Sequence, residues 1–192
     1  MGTTLLFWTA VISISILFVV VIYCYNKIIS NKNSVIRSWS DVITYERQKN
    51  NVLPEIEVAV TGYKEYEHDL QIKITKLRSA LNQIKVDELN NIALKKVEEQ
   101  TKALIEGVKI ALENYPDLKA SSLVQNFIKE IARQQENIAA GITVFNKNVE
   151  EFNNGIQNFP GYVVNNYLNK LVAIEPFLDQ KALDAFEYKL KL

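Results

Sequence analysis

What this chain has little of narrows its function more than what it has in plenty. Among its 192 residues there is one cysteine, Cys24, and one histidine, His68. A lone cysteine excludes an internal disulfide and any zinc site built on thiolates. A single imidazole leaves no material for a histidine-rich metal centre and little for a catalytic triad. No Gly-rich phosphate loop, GxSxG elbow, HExxH or CxxC occurs, so neither the motifs nor the residue types of an enzyme are in place. The 22 basic and 22 acidic residues cancel. Without a whole-chain field, nucleic acid is not an expected partner. Glycine and proline are scarce and no stretch alternates convincingly with period two, which leaves helices as the material of the fold. The expectation is a protein that is not an enzyme and takes no cofactor.

Charge is also missing in one block, since no charged side chain precedes Lys27. From Leu5 to Tyr25 the chain reads LLFWTAVISISILFVVVIYCY. As a helix this run spans about 31 Å, against about 30 Å for the hydrocarbon core of a bilayer. Ser13 and Ser15 are tolerable there because a helix can bond their hydroxyls to its own carbonyls. Trp8 near one end and Tyr23 and Tyr25 near the other suit the two interfaces. A cleaved signal peptide would need a basic start, a shorter apolar core and a small-x-small cleavage site, and none is present. Residues 1–26 are therefore expected to be a retained single-pass anchor and 27–34 a juxtamembrane segment, with the lipid bilayer as a partner. Lys27, Lys32 and Arg37 follow the run and nothing basic precedes it. That bias puts the N-terminus outside and the remaining chain in the cytoplasm. Cys24 at the inner interface is open to palmitoylation, although a small apolar residue in a membrane helix explains it as well.

The remainder reads as an all-α fold. Ile128, Gln135, Ile142, Val149 and Ile156 form one row at seven-residue spacing, and Ile131, Ile138, Phe145, Phe152 and Phe159 form another. Together they make a two-row seam interrupted only by Gln135, with Ser122 and Gln125 resembling a capping box at its start and Pro160-Gly161 as its stop. A second seam runs in phase from Val35 and Trp39 through Val42, Glu46, Lys49 and Leu53 to Ile84. Pro54 predicts a kink in it. A third helix is expected from Asp87 as cap to Asn114, with Leu89 and Ile92 among its apolar positions, before Pro116 forces Tyr115 out of helical geometry. The segment YVVNNYLNKLVAIEPFL, beginning at Tyr162, supports a short amphipathic helix. Long helices joined by short turns bury their stripes on one another. The architecture expected over 35–180 is an elongated antiparallel bundle of three long helices plus a short C-terminal helix, with a loosely held tail at 181–192.

These residues resemble the LemA family of bacterial single-pass membrane proteins, and the likeness covers nearly the whole chain. YNKII at 25–29, with Trp39 downstream, resembles the family's YN-x-L/I-V and its Trp. RQKNNVLPEIEVAVTGYKEYE at 47–67 resembles R-x-x-L-I-P-N-L-V-x-x-V-K-G-Y-x-x-H-E. YPDLKA at 115–120 is close to verbatim. FNKNVEEFNNGIQNFP at 145–160 matches YN-x-x-V-x-x-YN-x-x-I-x-x-FP with Phe145 and Phe152 in place of Tyr. IEPFLD at 174–179 resembles the closing P-F-F-E. The chain departs from the pattern at Glu55 for Asn, at Tyr66 for the His before Glu67, and at Gln135-Glu136-Asn137 for the triplet E-N-R. The resemblance implies the helical fold, the anchor and the inner cell membrane of a bacterium. It carries no mechanism with it.

Two clusters invite sharper readings. In EYEHDL, Glu65 and Asp69 are i,i+4 neighbours beside Glu67 and His68 and could share a cation. Solvated charges next to Lys64 and Lys73 account for them with fewer demands. Asn146 and Asn153, with Asn26, flank the aromatics. An amide at the edge of a seam can bond to a neighbouring helix and fix register, and Gln135 is assigned the same role. The functional expectation is a membrane-anchored scaffold or adaptor that recruits an unidentified membrane or cytoplasmic protein or associates with a second copy of itself. Its contact surfaces are expected at Trp39, Glu46 and Lys49 and at Tyr167 to Phe177. Two other classes stand beside it. One is a self-assembling protein that shapes the membrane, and the other is a ligand sensor with a polar pocket at Gln135.

Overall fold

A computed structural model of the chain describes residues 2–62 and 64–177, with the backbone alone at 64 and 65. The tail expected over 181–192, residues 178 and 179 of the closing motif, and the seam position at 63 lie outside the described residues. Among the described residues there are helices and turns and no strand, in line with the all-α expectation. The helices are α1 (Gly2–Gln48), α2 (Leu53–Val60), α3 (Lys64–Gln83), α4 (Asn91–Asn114), α5 (Pro116–Ala120), α6 (Ser122–Gln157) and α7 (Gly161–Val164). The chain divides into two units, one of Met1–Arg37 with Phe145–Pro176 and the other of Ser38–Val144 with the residues from Phe177. Both α1 and α6 contribute residues to each.

In the second unit, the end of α1 gives way at Lys49–Asn51 to a 3-10 turn, and α2 resumes with Pro54 in its first turn. Proline lacks the donor that a helix interior needs, so the break falls just ahead of it, as expected. The two limbs keep one direction along α6. Val42 packs where a Cβ on Gly141 would stand, and the Asn126 amide donates to Glu55 at 2.6 Å. The seam does not then continue to Ile84 as one helix. At Thr61-Gly62 the chain reverses, with Gly62 at φ 95°, a conformation that costs other L residues about 1–2 kcal/mol. Its N–H donates to Glu67 at 3.1 Å, which ties the turn to the start of α3. Arg78 of α3 reaches back to Glu57 of α2 at 3.1 Å.

α4 runs antiparallel to α3, since Lys96 meets Gln83 and Asn114 meets Tyr66. The helix expected from Asp87 begins later because the Asn90 side chain accepts the Ala93 N–H at 2.9 Å and caps it there. Leu89 and Ile92, expected in the core, are consequently exposed, Ile92 by 83%. Tyr115 is extended ahead of Pro116 (φ −127°, ψ 90°), as the proline demands. The capping box at Ser122 does not form. The Gln125 N–H bonds the Ser121 carbonyl, and its side chain donates to Lys119. The unit is thus four antiparallel limbs, with the expected long second helix divided between the first and second. Leu53, Ile56, Leu70, Ile74, Leu77, Leu104, Phe127 and Ile131 belong to its core.

In the first unit, α1 and the end of α6 lie antiparallel. Asn31 donates to the Glu151 carbonyl at 3.2 Å and Asn148 to the Ser34 carbonyl at 3.2 Å. Ile28 and Val35 on α1, and Phe145, Val149, Phe152 and Ile156 on α6, are buried as their spacing predicts. Phe159 is not. It is 85% exposed, because α6 ends at Gln157 and the chain turns through Asn158–Pro160 before the periodicity can bring it inward. Beyond it α7 passes into a π turn at Asn165–Asn169, and Lys170 in the left-handed region (φ 52°) ends it. The amphipathic helix expected beyond Tyr162 is cut short, and residues 171–177 are not helical.

Gly161 turns back so closely that a Cβ there would lie 2.0 Å from the Gly155 carbonyl oxygen. Gly161→Ala is expected to lower stability by about 1–3 kcal/mol through overpacking. Urea unfolding of the detergent-solubilised chain, followed by helical circular dichroism, measures it. An unchanged midpoint would contradict the close approach.

Candidate functional site

Sequence spacing placed two charged residues in a hydrophobic seam, and the second unit holds both of them inside. Glu46 and Lys49 are each 0% exposed, with Nζ 2.7 Å from Oε2. This overturns the expectation that Trp39, Glu46 and Lys49 form a contact surface. Trp39 is also interior, 1% exposed, with Nε1 donating to the Lys85 carbonyl at 3.3 Å. The reason is charge neutralisation. One turn apart on the helix, the two ions can be buried together where either alone could not. Lys49 also donates to the Thr101 hydroxyl at 3.2 Å, and that hydroxyl donates to the Val97 carbonyl at 2.8 Å. Glu98, Gln134 and Gln135 are buried as well. Oε1 of Glu46 and of both glutamines has no hydrogen-bond partner.

The direction of α1 and α2 along α6 sets Glu46 roughly level with Gln135. The result is a polar layer across an otherwise apolar bundle, joining α1 to α4 and α6. Sequence reasoning missed Thr101 and Gln134. Thr101 lies in phase with Val97, Leu104 and Val108, and that spacing was the available signal. A buried ammonium already paired with a carboxylate is neither a free nucleophile nor a free base. A cavity of about 10 Å³ beside Ile105, Val108, Phe127 and Ile131 has room for at most one water. A shallow groove of about 220 Å³, lined by Asp41, Tyr45, Asn137 and Gly141 among others, is smaller than the roughly 300–1,000 Å³ of ligand pockets. Gln135 lines neither.

The acidic cluster is dispersed among other partners. Asp69 pairs with Lys73, and Glu67 accepts from Gly62 and Gln71. His68 is exposed, and the Glu65 side chain lies outside what is described. Among the described residues no group of three His, Cys, Asp or Glu side chains could hold a metal.

The first unit contains a different arrangement of amides. Asn153 donates to the Ile174 carbonyl at 2.8 Å and accepts from the Ile174 N–H at 2.9 Å. Asn165 does the same to Leu171 at 2.9 and 3.0 Å. Each amide thus clamps both backbone groups of one residue in the non-helical segment, where bonding to a neighbouring helix was expected. Asn146 is half-buried on α6, and Asn26 is exposed. Trp8, Tyr23, Tyr25 and Lys27 are exposed, Lys32 is half-buried, and Arg37 donates to Ser34 at 3.0 Å. Cys24 is half-buried. Tyr167 is 76% exposed, whereas Phe177, expected on the same surface, is buried.

Lys49→Met leaves a buried carboxylate without its counter-ion and is expected to cost about 3–5 kcal/mol, whereas Glu46→Leu with Lys49→Met restores most of the loss. Urea midpoints of the three chains check this, and a double variant no better than the single would contradict it. On α6, hydrogen bonding from Arg133, with a further bond from Gln134, holds the Glu130 carboxyl below the usual carboxylate range. That contribution is therefore present above the unfolded value of about 4.3 and lost as pH falls from there through the lower folded value. The stability gap between the parent and Glu130→Gln is expected to close below about pH 4, and unfolding titrations from pH 3 to 7 measure it.

Comparison with known proteins adds relatedness to this geometry. The profile describing the LemA family matches residues 38–179. The chain is also similar to the protein named Protein LemA of Metamycoplasma hominis. The two are 31% identical over 149 residues, which cover 78% of this chain and 67% of that one.

Proposed function

The chain belongs to the LemA family, and we propose that it is a membrane-anchored helical scaffold or adaptor that presents its helices at the cytoplasmic face of a bacterial inner membrane. One observation carries this reading. The apolar run of α1 is uncovered: Leu5, Leu6, Phe7, Ile12, Ile16 and Phe18 are each more than half exposed. A contiguous oily surface of that length has no place in water, and a bilayer is the environment that satisfies it. On this reading the chain is not an enzyme, and its work is done by surface contacts. Asp41 and Thr44 lie on the exposed side of the stretch whose other side holds Trp39 and Glu46. They replace the buried residues as candidate contacts.

A photo-crosslinking residue at Asp41 or Thr44 in native membranes is expected to capture a discrete partner protein. Adducts between copies of the chain would favour the self-assembling alternative, and lipid adducts alone would overturn the adaptor reading. Orientation is checked with Lys102→Cys in a Cys24→Ser background. An impermeant maleimide is expected to label it only after lysis, and labelling in intact cells would reverse the topology.

A further inference from the structure

The first unit contains a second charge-free block. From Phe152 to Asn169 no residue carries a charge, and Lys170 follows. Within it Phe159, Tyr162, Val163, Tyr167 and Leu168, with Val172 just beyond, are exposed, three of them by 76% or more. Gly161 and Val164 between them are buried. This stretch thus turns most of its aromatic and branched side chains outward while Gly161 and Val164 pack inward. Such a surface is unusual for a domain face in water.

Its position says what covers it. A Cβ on Gly161 would lie 3.8 Å from Ile28, and one on Gly155 would lie 4.0 Å from the same residue. Ile28 stands three residues beyond Tyr25, about 4.5 Å along the helix from the end of the apolar run. The pairs Ser34–Asn148, Asn31–Glu151 and Ile28–Gly155 match each step along α1 with a near-equal step along α6. Carried on to Gln157, the last residue of α6, that register reaches Tyr25 and Asn26 on α1, and Phe159 follows two residues later in the turn. The two charge-free blocks of the sequence therefore meet at one level, where the span leaves the hydrocarbon and enters the interfacial layer of roughly 5–7 Å.

From this we infer that the cap formed by residues 158–172 is a membrane-contact surface seated in the headgroup layer around α1, so that the unit meets the bilayer at two places. Its chemistry fits that layer. Phe and Tyr present an oily ring, with a polar tip in Tyr, as interfacial aromatics do. Asn153 and Asn165 satisfy backbone groups that would otherwise need water. Lys27 follows the first block and Lys170 the second, each a positive charge suited to anionic headgroups, while Glu151 precedes the second. The contact does not depend on which side of the membrane the domain occupies.

This inference rests on the anchor reading, and one experiment separates the two. The full chain in a Cys24→Ser background is spin-labelled singly through Val19→Cys, Phe159→Cys, Tyr167→Cys or Lys147→Cys and reconstituted into vesicles of phosphatidylcholine with phosphatidylglycerol. Collision with oxygen, which concentrates in lipid, is compared with collision with a water-soluble nickel chelate. Labels at 159 and 167 are expected to give an oxygen-to-nickel ratio several-fold above that at 147 and below that at 19. If 159 and 167 match 147 while 19 is lipid-buried, the anchor stands and the cap contact is overturned. Low collision with both reagents at 159 would put protein there and overturns it equally. Water exposure at 19 would remove the anchor reading and this inference with it.

Discussion

Burial of the apolar stripe along α6 is the interaction on which the remaining structure depends. In the first unit that stripe is Phe145, Val149, Phe152 and Ile156, with Ile28 and Val35 of α1 buried alongside. In the second it is Phe127, Ile131, Ile138 and Ile142. Each such side chain contributes roughly 1.5–3 kcal/mol when withdrawn from water, and no other described helix carries so long a buried row. The reversal at Gly62, the cap at Asn90 and the proline stop at Tyr115 return the intervening limbs so that this row is covered.

Against that background the polar layer acts as a constraint more than a source of stability. A buried ion pair is worth little net, because desolvation of both groups offsets their attraction. What it excludes is misalignment. A shift of one turn between α4 and the limb that carries Glu46 and Lys49 would part Lys49 from Thr101 and bring an apolar side chain opposite a charge. Its place midway along a bundle of interchangeable aliphatic side chains suits the specification of one register among several of similar packing.

Much of the fold was legible in the sequence where one periodicity meets one environment. The α6 seam, the apolar run of α1 and the break at Pro116 were all plain, and the family motifs ran through them in order. The reversal at Gly62 was hidden because the seven-residue phase persists across it. Val60 and Leu70 hold the same seam positions whether the chain continues or doubles back. Glu46 and Lys49 were expected at a contact surface because charges on a seam suggest incomplete cover, and sequence does not show that each neutralises the other. Phe159 kept the period of its row one step past the last helical turn. The amides at Asn153 and Asn165 were recognisable as bonding groups. Their targets, the backbones of Ile174 and Leu171, belong to a segment whose pattern suggested a helix.

One feature of α1 has a mechanical meaning. Within the first unit no joint separates its oily length from the stretch that α6 grips, since Tyr25 to Ile28 is uninterrupted helix and Asn31 is bonded to α6 a turn later. On the anchor reading, a swivel at the bilayer surface is therefore missing. Bilayer thickness governs how far a spanning helix leans, and on that reading any such lean passes directly into the inclination of the α6 terminus.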